Sequence, residues 1–210
     1  MKAIIFDFDG VILDSVNVKT KAFKQMYSIY GDDVMRKVVD YHLLNGGISR
    51  YEKFKYFHKN FLNISLSNAE VDHMASEFSK IVFNRVCNSD YIKGALEFLH
   101  YSHKKYLTFI CTGTPESEIK KILESKKLTK FFNSVYGSPK SKVEIINNIM
   151  IERKLNANEI LFIGDAMTDY NASQETNLNF IGIRNKDTVF PDDVVQIDDL
   201  MEIINIKKIK

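Results

Sequence analysis

Three carboxylates crowd into a dozen residues near the start of the chain: Asp7, Asp9 and Asp14 in IIFDFDGVILDS, residues 4–15. They follow an apolar run that reads as buried, where uncompensated negative charge is costly. A divalent cation turns that repulsion into a binding site. Magnesium takes a few carboxylates together with water and a substrate phosphate, so the cluster points toward phosphoryl chemistry. The rest of the chain holds the complementary groups: a hydroxyl at Thr112, a backbone amide at Gly113, a lysine in SPKSK, and two more acids, Asp165 and Asp169, in GDAMTD.

These groups need a scaffold that brings them together. Residues 2–6, YLTFICTG (106–113), ILFIGD (160–165) and NFIGI (179–183) are short apolar runs ending in small or acidic residues, and the first three precede helix-like stretches. This alternation predicts an α/β fold, a Rossmann-like three-layer arrangement with a parallel sheet between helices. Asp7, Thr112 and Asp165 then fall at the carboxyl ends of strands, where such sheets bind ligands. Between residues 16 and 87 the alternation stops. Helical periodicity in VKTKAFKQMYSIYG and NAEVDHMASEFSKIVFNRV predicts an inserted all-helical cap domain over 16–87, the α/β core comprising 1–15 and 88–210. In YEKFKYFHKNF the aromatics Tyr51, Phe54, Phe57 and Phe61 recur every three or four residues, which predicts a core stripe with the lysines on the solvated face. Asp14 and Ser15 are expected to cap the first helix of the insert.

Composition limits the partners. The chain has 210 residues, a formal charge of +2, 45% hydrophobic and 27% charged residues. It therefore offers no overall reason to bind nucleic acid or an anionic membrane. Cys87 and Cys111 suggest neither a disulfide framework nor a zinc site, and the five histidines lack ligand spacing, so they are assigned to surface or core. The apolar run in MKAIIFDF is too short for a signal peptide, and no window approaches a membrane span. A cytoplasmic protein, monomer or homodimer, is expected, with IKKIK at residues 206–210 a solvated end.

In their order, DFDGVILDS, ICTGTP, GSPKSK and FIGDAMTDYNAS resemble the four motifs of the haloacid dehalogenase superfamily, in its phosphatase branch with a helical cap inserted after the first motif. A single DxD is weak evidence, whereas the ordered set spans residues 7–169. The resemblance implies a Mg2+-dependent phosphatase acting on a small phosphorylated metabolite through an aspartyl-phosphate. Asp7 would be the nucleophile and Asp9 the acid and base. Asp7, the backbone carbonyl of Asp9, and Asp165 would hold the metal, with Asp169 an outer or occasional ligand. Thr112 and the amide of Gly113 would hold the phosphoryl group. Lys140 and Lys142 both suit the third motif, and the spacing to Ile145 and Ile146 favours Lys142.

Specificity is expected from the insert, which can close over the strand tips. NGGISR, residues 45–50, offers two glycines for close approach and donors at Ser49 and Arg50; its alternative is a glycine turn with Ser49 capping a helix and Arg50 solvated. The stretch also resembles a cap loop of sugar-phosphate mutases in the same superfamily. Those enzymes carry a histidine ten residues after the second Asp, where this chain has Lys19, and a lysine where it has Gly46. Hydrolysis is therefore the favoured activity, with a sugar phosphomutase or a catalytically silent binding protein as alternatives.

Overall fold

The computed structural model describes residues 1–206; all of IKKIK beyond Ile206 lies outside the described residues. Six strands form one parallel sheet: β1 (Ala3–Phe6), β2 (Leu107–Pro115), β3 (Ser134–Ser138), β4 (Ile160–Gly164), β5 (Asn179–Ile183) and β6 (Gln196–Ile197), in the order β3-β2-β1-β4-β5-β6. The sequence reading found β1, β2, β4 and β5. It missed β3 and β6, because SVYGS carries one strongly apolar residue and QI is too short to show a period.

Alternation along β1 explains the three layers. Ile4 and Phe6 join one core cluster with Phe98 and Leu99 of α5 (Ala95–Ser102) and Ile119, Ile122 and Leu123 of α6 (Glu116–Ser125). Ala3 and Ile5 face the other way, onto Ile145, Ile146 and Ile149 of α7 (Lys142–Arg153) and Ala172 of α8 (Met167–Glu175). With both faces covered, the central strands read as unbroken apolar runs. β1 registers Phe6 against Ile110 of β2 and Ile163 of β4, so the chain order reverses beside β1 and leaves a crevice at the strand tips.

Between β1 and β2 lie α1 (Val16–Tyr27), α2 (Asp32–Leu44), α3 (Arg50–Phe57) and α4 (Asn68–Cys87). Two short connections lead into and out of these helices and pair with each other: Asp14 N donates to Asp90 O at 2.9 Å and Ile92 N to Ile12 O at 3.1 Å. An aromatic core holds the helices together. Phe23 packs against Phe54, Phe57 and Phe78 with ring centroids 4.4–5.7 Å apart. The Tyr51–Phe61 stripe is core, but the lysines of that segment divide. Lys55 and Lys59 are exposed while Lys53 is buried, contrary to the solvated face expected for all of them. The reason is a cavity beneath α3 that Lys53 borders, which helical periodicity cannot show.

Candidate active site

Asp7 follows β1 directly, and its backbone N–H continues the sheet by donating to Ile163 O at 2.9 Å. The sheet thus fixes its carboxylate at the crevice. Oδ1 accepts from Phe8 N at 2.6 Å and Oδ2 from Lys142 Nζ at 2.9 Å. Local chemistry puts Lys142 there: Ser141 accepts from Glu144 N at 3.2 Å while the Glu144 carboxylate accepts from Ser141 N at 2.7 Å. This capping box makes Lys142 the first residue of α7. Lys142, rather than Lys140, reaches the acids, as its spacing to Ile145 and Ile146 favoured. Burial opposes the charge on Lys142, yet the carboxylates of Asp169 and Asp7 hold it protonated well above the usual lysine range.

Asp169 is fully buried, hydrogen-bonded to Lys142, and accepts from Ala166 N at 3.1 Å, so it also closes the first turn of α8. Asp165 follows β4. Gly10, at φ +79°, lies so close that a Cβ there would sit 2.0 Å from Asp165 Oδ2. Among the described residues no group donates a hydrogen bond to the Asp165 carboxylate. Burial first, then the negative charges of Asp7 and Asp169, push its proton affinity well up. Oxygens of Asp7, Asp165 and Asp169 lie within 4.8 Å of one another. Three acids against the single Lys142 cation leave negative charge in excess, and an all-oxygen donor set of this kind fits a hard divalent cation.

Asp9 has a different environment. Ser15 Oγ donates to its Oδ1 at 2.6 Å, Thr114 Oγ1 donates to Oδ2 at 2.9 Å, and Lys19 forms an ion pair with Oδ2 while reaching Thr114 Oγ1 at 2.7 Å. Burial disfavours the carboxylate, but Lys19 and these hydrogen bonds overcome it and hold Asp9 below the usual carboxylate range. Ser15 is therefore a ligand of Asp9. It makes no side-chain cap on α1, and the capping role expected for Asp14 and Ser15 is not what the structure places there. Asp14 is exposed at the rim of the cavity. Thr112 is buried and accepts from Thr114 N at 3.2 Å, leaving its own proton free to donate.

The loop between α2 and α3 seats the helical insert on these strand tips. A Cβ on Gly113 would lie 2.3 Å from Gly47 O, and one on Gly47, itself at φ +79°, would collide with Thr168 Oγ1 and Lys142 Nζ. Thr168 Oγ1 also donates to Gly46 O. Only glycine backbone fits so closely over the acids. Ser49 caps α3, accepting from Glu52 N. Arg50 borders the cavity, but its guanidinium meets Glu118 of α6 in a bidentate pair at 2.6 and 2.8 Å and donates to Ser79 at 2.7 Å, over the Phe78 ring. The donors expected to face substrate are thus engaged within the protein. Arg50 ties α3 and α4 to α6.

A cavity of about 220 Å3 remains between insert and strand tips, bordered by Asp7, Asp9, Thr112 and Asp165 below and by His42, Arg50 and Lys53 above. Sequence reasoning missed three of its elements. Lys53 and His42 look like surface and core residues, and Asn185 sits in an unremarkable loop. Asn185 Nδ2 donates to Asp165 O at 2.7 Å while its Oδ1 accepts from Asp187 N and Thr188 N at 2.9 Å, which folds that loop against the acids.

Comparison with known proteins agrees with this geometry. The chain is 25% identical over 186 residues to a phosphoglycolate phosphatase of Aliivibrio fischeri, covering 83% of this chain and 80% of that protein. It is 23% identical over 193 residues to one of Pseudomonas fluorescens, covering 87% and 69%. Among solved structures, β-phosphoglucomutase from Clostridium difficile superposes with a TM-score of 0.80 at 21% identity, over 100% of this chain and 97% of that one. The Bacillus subtilis hydrolase YfnB, bound to magnesium, does so at 0.71 and 18% identity, over 98% and 99%. At these identities the structural likenesses establish the fold. The model of the haloacid dehalogenase-like hydrolases matches residues 4–183, from the strand before Asp7 to the end of β5, and the chain therefore belongs to that family.

Proposed function

We propose that this hydrolase is a magnesium-dependent phosphatase that cleaves a small phosphomonoester through an aspartyl-phosphate on Asp7. The observation that carries the reading is Asp7 itself. Its carboxylate is fixed at the sheet's crevice by Phe8 N and Lys142, and it opens with Asp9, Thr112 and Asp165 onto one cavity.

Asp7 attacks phosphorus, forming the P–O bond to its carboxylate as the bond to the leaving alcohol breaks. Asp9 gives that alcohol its proton. Water then attacks the same phosphorus, Asp9 takes the proton of the water, and phosphate leaves as Asp7 is restored. Lys19, Ser15 and Thr114 favour the carboxylate of Asp9, the form this second step requires; the first step requires Asp9 to carry a proton. Thr112 and the Gly113 amide donate to the phosphoryl oxygens, and Lys142 adds positive charge. Asp7, Asp165 and the backbone carbonyl of Asp9 would hold the magnesium ion, which would supply further neutralisation of those oxygens. The Gly46–Gly47 loop seats the insert over the strand tips that carry these groups.

Release of inorganic phosphate from an aryl phosphate and from a panel of metabolite phosphates tests the proposal. Phosphate appears with magnesium and stops when a chelator removes it. Transfer to a sugar hydroxyl without net phosphate release would replace hydrolysis by mutase activity, and inactivity on every phosphomonoester would sink the reading.

A further inference from the structure

Of the cations around the cavity, Arg184 and Lys186 are exposed to solvent; of the others, Lys142 pairs with Asp7 and Asp169, Lys19 with Asp9, and Arg50 with Glu118. Lys53 differs. It is 2% exposed, and among the described residues no carboxylate lies within ion-pairing distance of it. Its Nζ reaches His42 Nδ1 at 2.8 Å and His42 O at 3.4 Å. His42 is 6% exposed, and its Nε2 has no hydrogen-bond partner. When Lys53 is protonated its Nζ can only donate, so His42 Nδ1 accepts, and Nε2 carries the ring proton and is an unused donor. An ammonium has three donors, so one of these is also unused. Two buried donors without acceptors, on side chains lining the cavity that holds Asp7, are costly unless a ligand completes them.

We infer that Lys53 and His42 form an anion receptor for the part of the substrate remote from the phosphoryl group, so that the substrate carries a second anionic oxygen group, a carboxylate. This rests on the phosphatase reading above. A carboxylate presents two oxygens, one for the ammonium and one for the imidazole N–H. The same cavity holds Asp7 and the two donors, so one short substrate can span from the nucleophile to the receptor. Burial, and then the nearby Lys19 and Lys142, push the Lys53 amine down to about 7, so it takes up a proton readily when an anion arrives. Sequence patterning had placed Lys53 on a solvated face; the receptor exists only because α2 and α3 bring His42 and Lys53 together under the aromatic core.

Phosphoglycolate and ethyl phosphate share a two-carbon chain and differ in carboxylate against methyl, so they isolate the receptor. The wild-type enzyme is expected to prefer phosphoglycolate by at least tenfold in kcat/KM. Lys53→Met is expected to reduce that ratio at least tenfold, His42→Gln to reduce it less, and Lys53→Arg to retain part of it. Calorimetric binding of the same two compounds to Asp7→Asn protein, and to Asp7→Asn/Lys53→Met protein, gives the answer without turnover. Selectivity in the first that is lost in the second supports the receptor even if no phosphomonoester is hydrolysed, in which case only the phosphatase reading fails. A wild-type protein indifferent to the carboxylate overturns the inference, as does a ratio unchanged in a Lys53→Met protein with native circular dichroism.

Discussion

Arg50 offers a sharp test because its geometry differs from the role its sequence context suggested. Its side chain is 4% exposed and that of Glu118 is 7% exposed, and the two meet in a bidentate pair with Ser79 bonded to both partners. Arg50→Ala would leave the Glu118 carboxylate buried with only a hydroxyl for company, at a cost of about 3–5 kcal/mol. Loss of the guanidinium over the Phe78 ring, 4.6 Å from its centroid, adds on the order of 1 kcal/mol. For a chain of this length, at about 2–4 °C per kcal/mol, the sum corresponds to a melting temperature lower by roughly 8–24 °C. The double variant Arg50→Met/Glu118→Gln removes both charges and is expected to recover most of the loss. Urea denaturation of the singles and the double gives the coupling directly. Because the pair joins the insert to α6, Arg50→Ala should also lower kcat/KM on phosphoglycolate and on ethyl phosphate by similar factors. A cost under about 1 kcal/mol, or a double variant as unstable as Arg50→Ala, would refute the strut. A loss confined to one substrate would return Arg50 to substrate binding.

Other perturbations follow from the same geometry. Asp7→Asn is expected to abolish turnover while leaving the fold intact, since it relieves repulsion in an acidic cluster; phosphate release by a clean preparation is the measurement, and substantial residual activity contradicts the nucleophile assignment. Asp9→Asn should slow turnover by roughly a hundredfold to ten-thousandfold while metal binding survives, and a collapse of phosphate-analogue affinity to match the rate would make Asp9 a ligand instead. Lys19→Met removes the cation that holds the Asp9 pKa low, so the alkaline limb of the kcat/KM profile, where Asp9 loses the proton it gives the leaving alcohol, should move to higher pH; an unmoved limb would show that Asp9 does not govern it. Between pH 7 and about 10.4 the unfolded chain keeps a proton on Lys53 that the folded chain releases, so this residue makes stability rise with pH by up to about 1.4 kcal/mol per unit. Lys53→Met should abolish that slope and be the more stable protein at neutral pH, and parallel stability profiles of the two proteins would contradict the buried, unpaired amine.

Much of the catalytic end was legible because it depends on local chemistry. A short apolar run ending in D-x-D-G announces a strand that delivers acids to a sheet edge, and the same logic located Thr112 and Asp165. Lys142 was legible too, since its spacing to Ile145 and Ile146 marks it as the start of a helix whose first residue it is. The insert shows the limit. Helical periodicity identified its aromatic core but could not tell that Lys53 turns inward while Lys55 turns out, because a cavity is a property of several helices together. Ser15 suited a helix cap equally well until Asp9 was seen within 2.6 Å of its hydroxyl. Likewise Arg50 and Glu118 are 68 residues apart, and either alone reads as an ordinary surface charge. Residue type and spacing determined which groups could do chemistry. The packing of α3 and α4 against α6 decided which of the cavity's buried cations are neutralised within the protein and that Lys53, itself buried, is left without an anion among the described residues, because electrostatic pairing acts over a few ångströms whatever the separation along the chain.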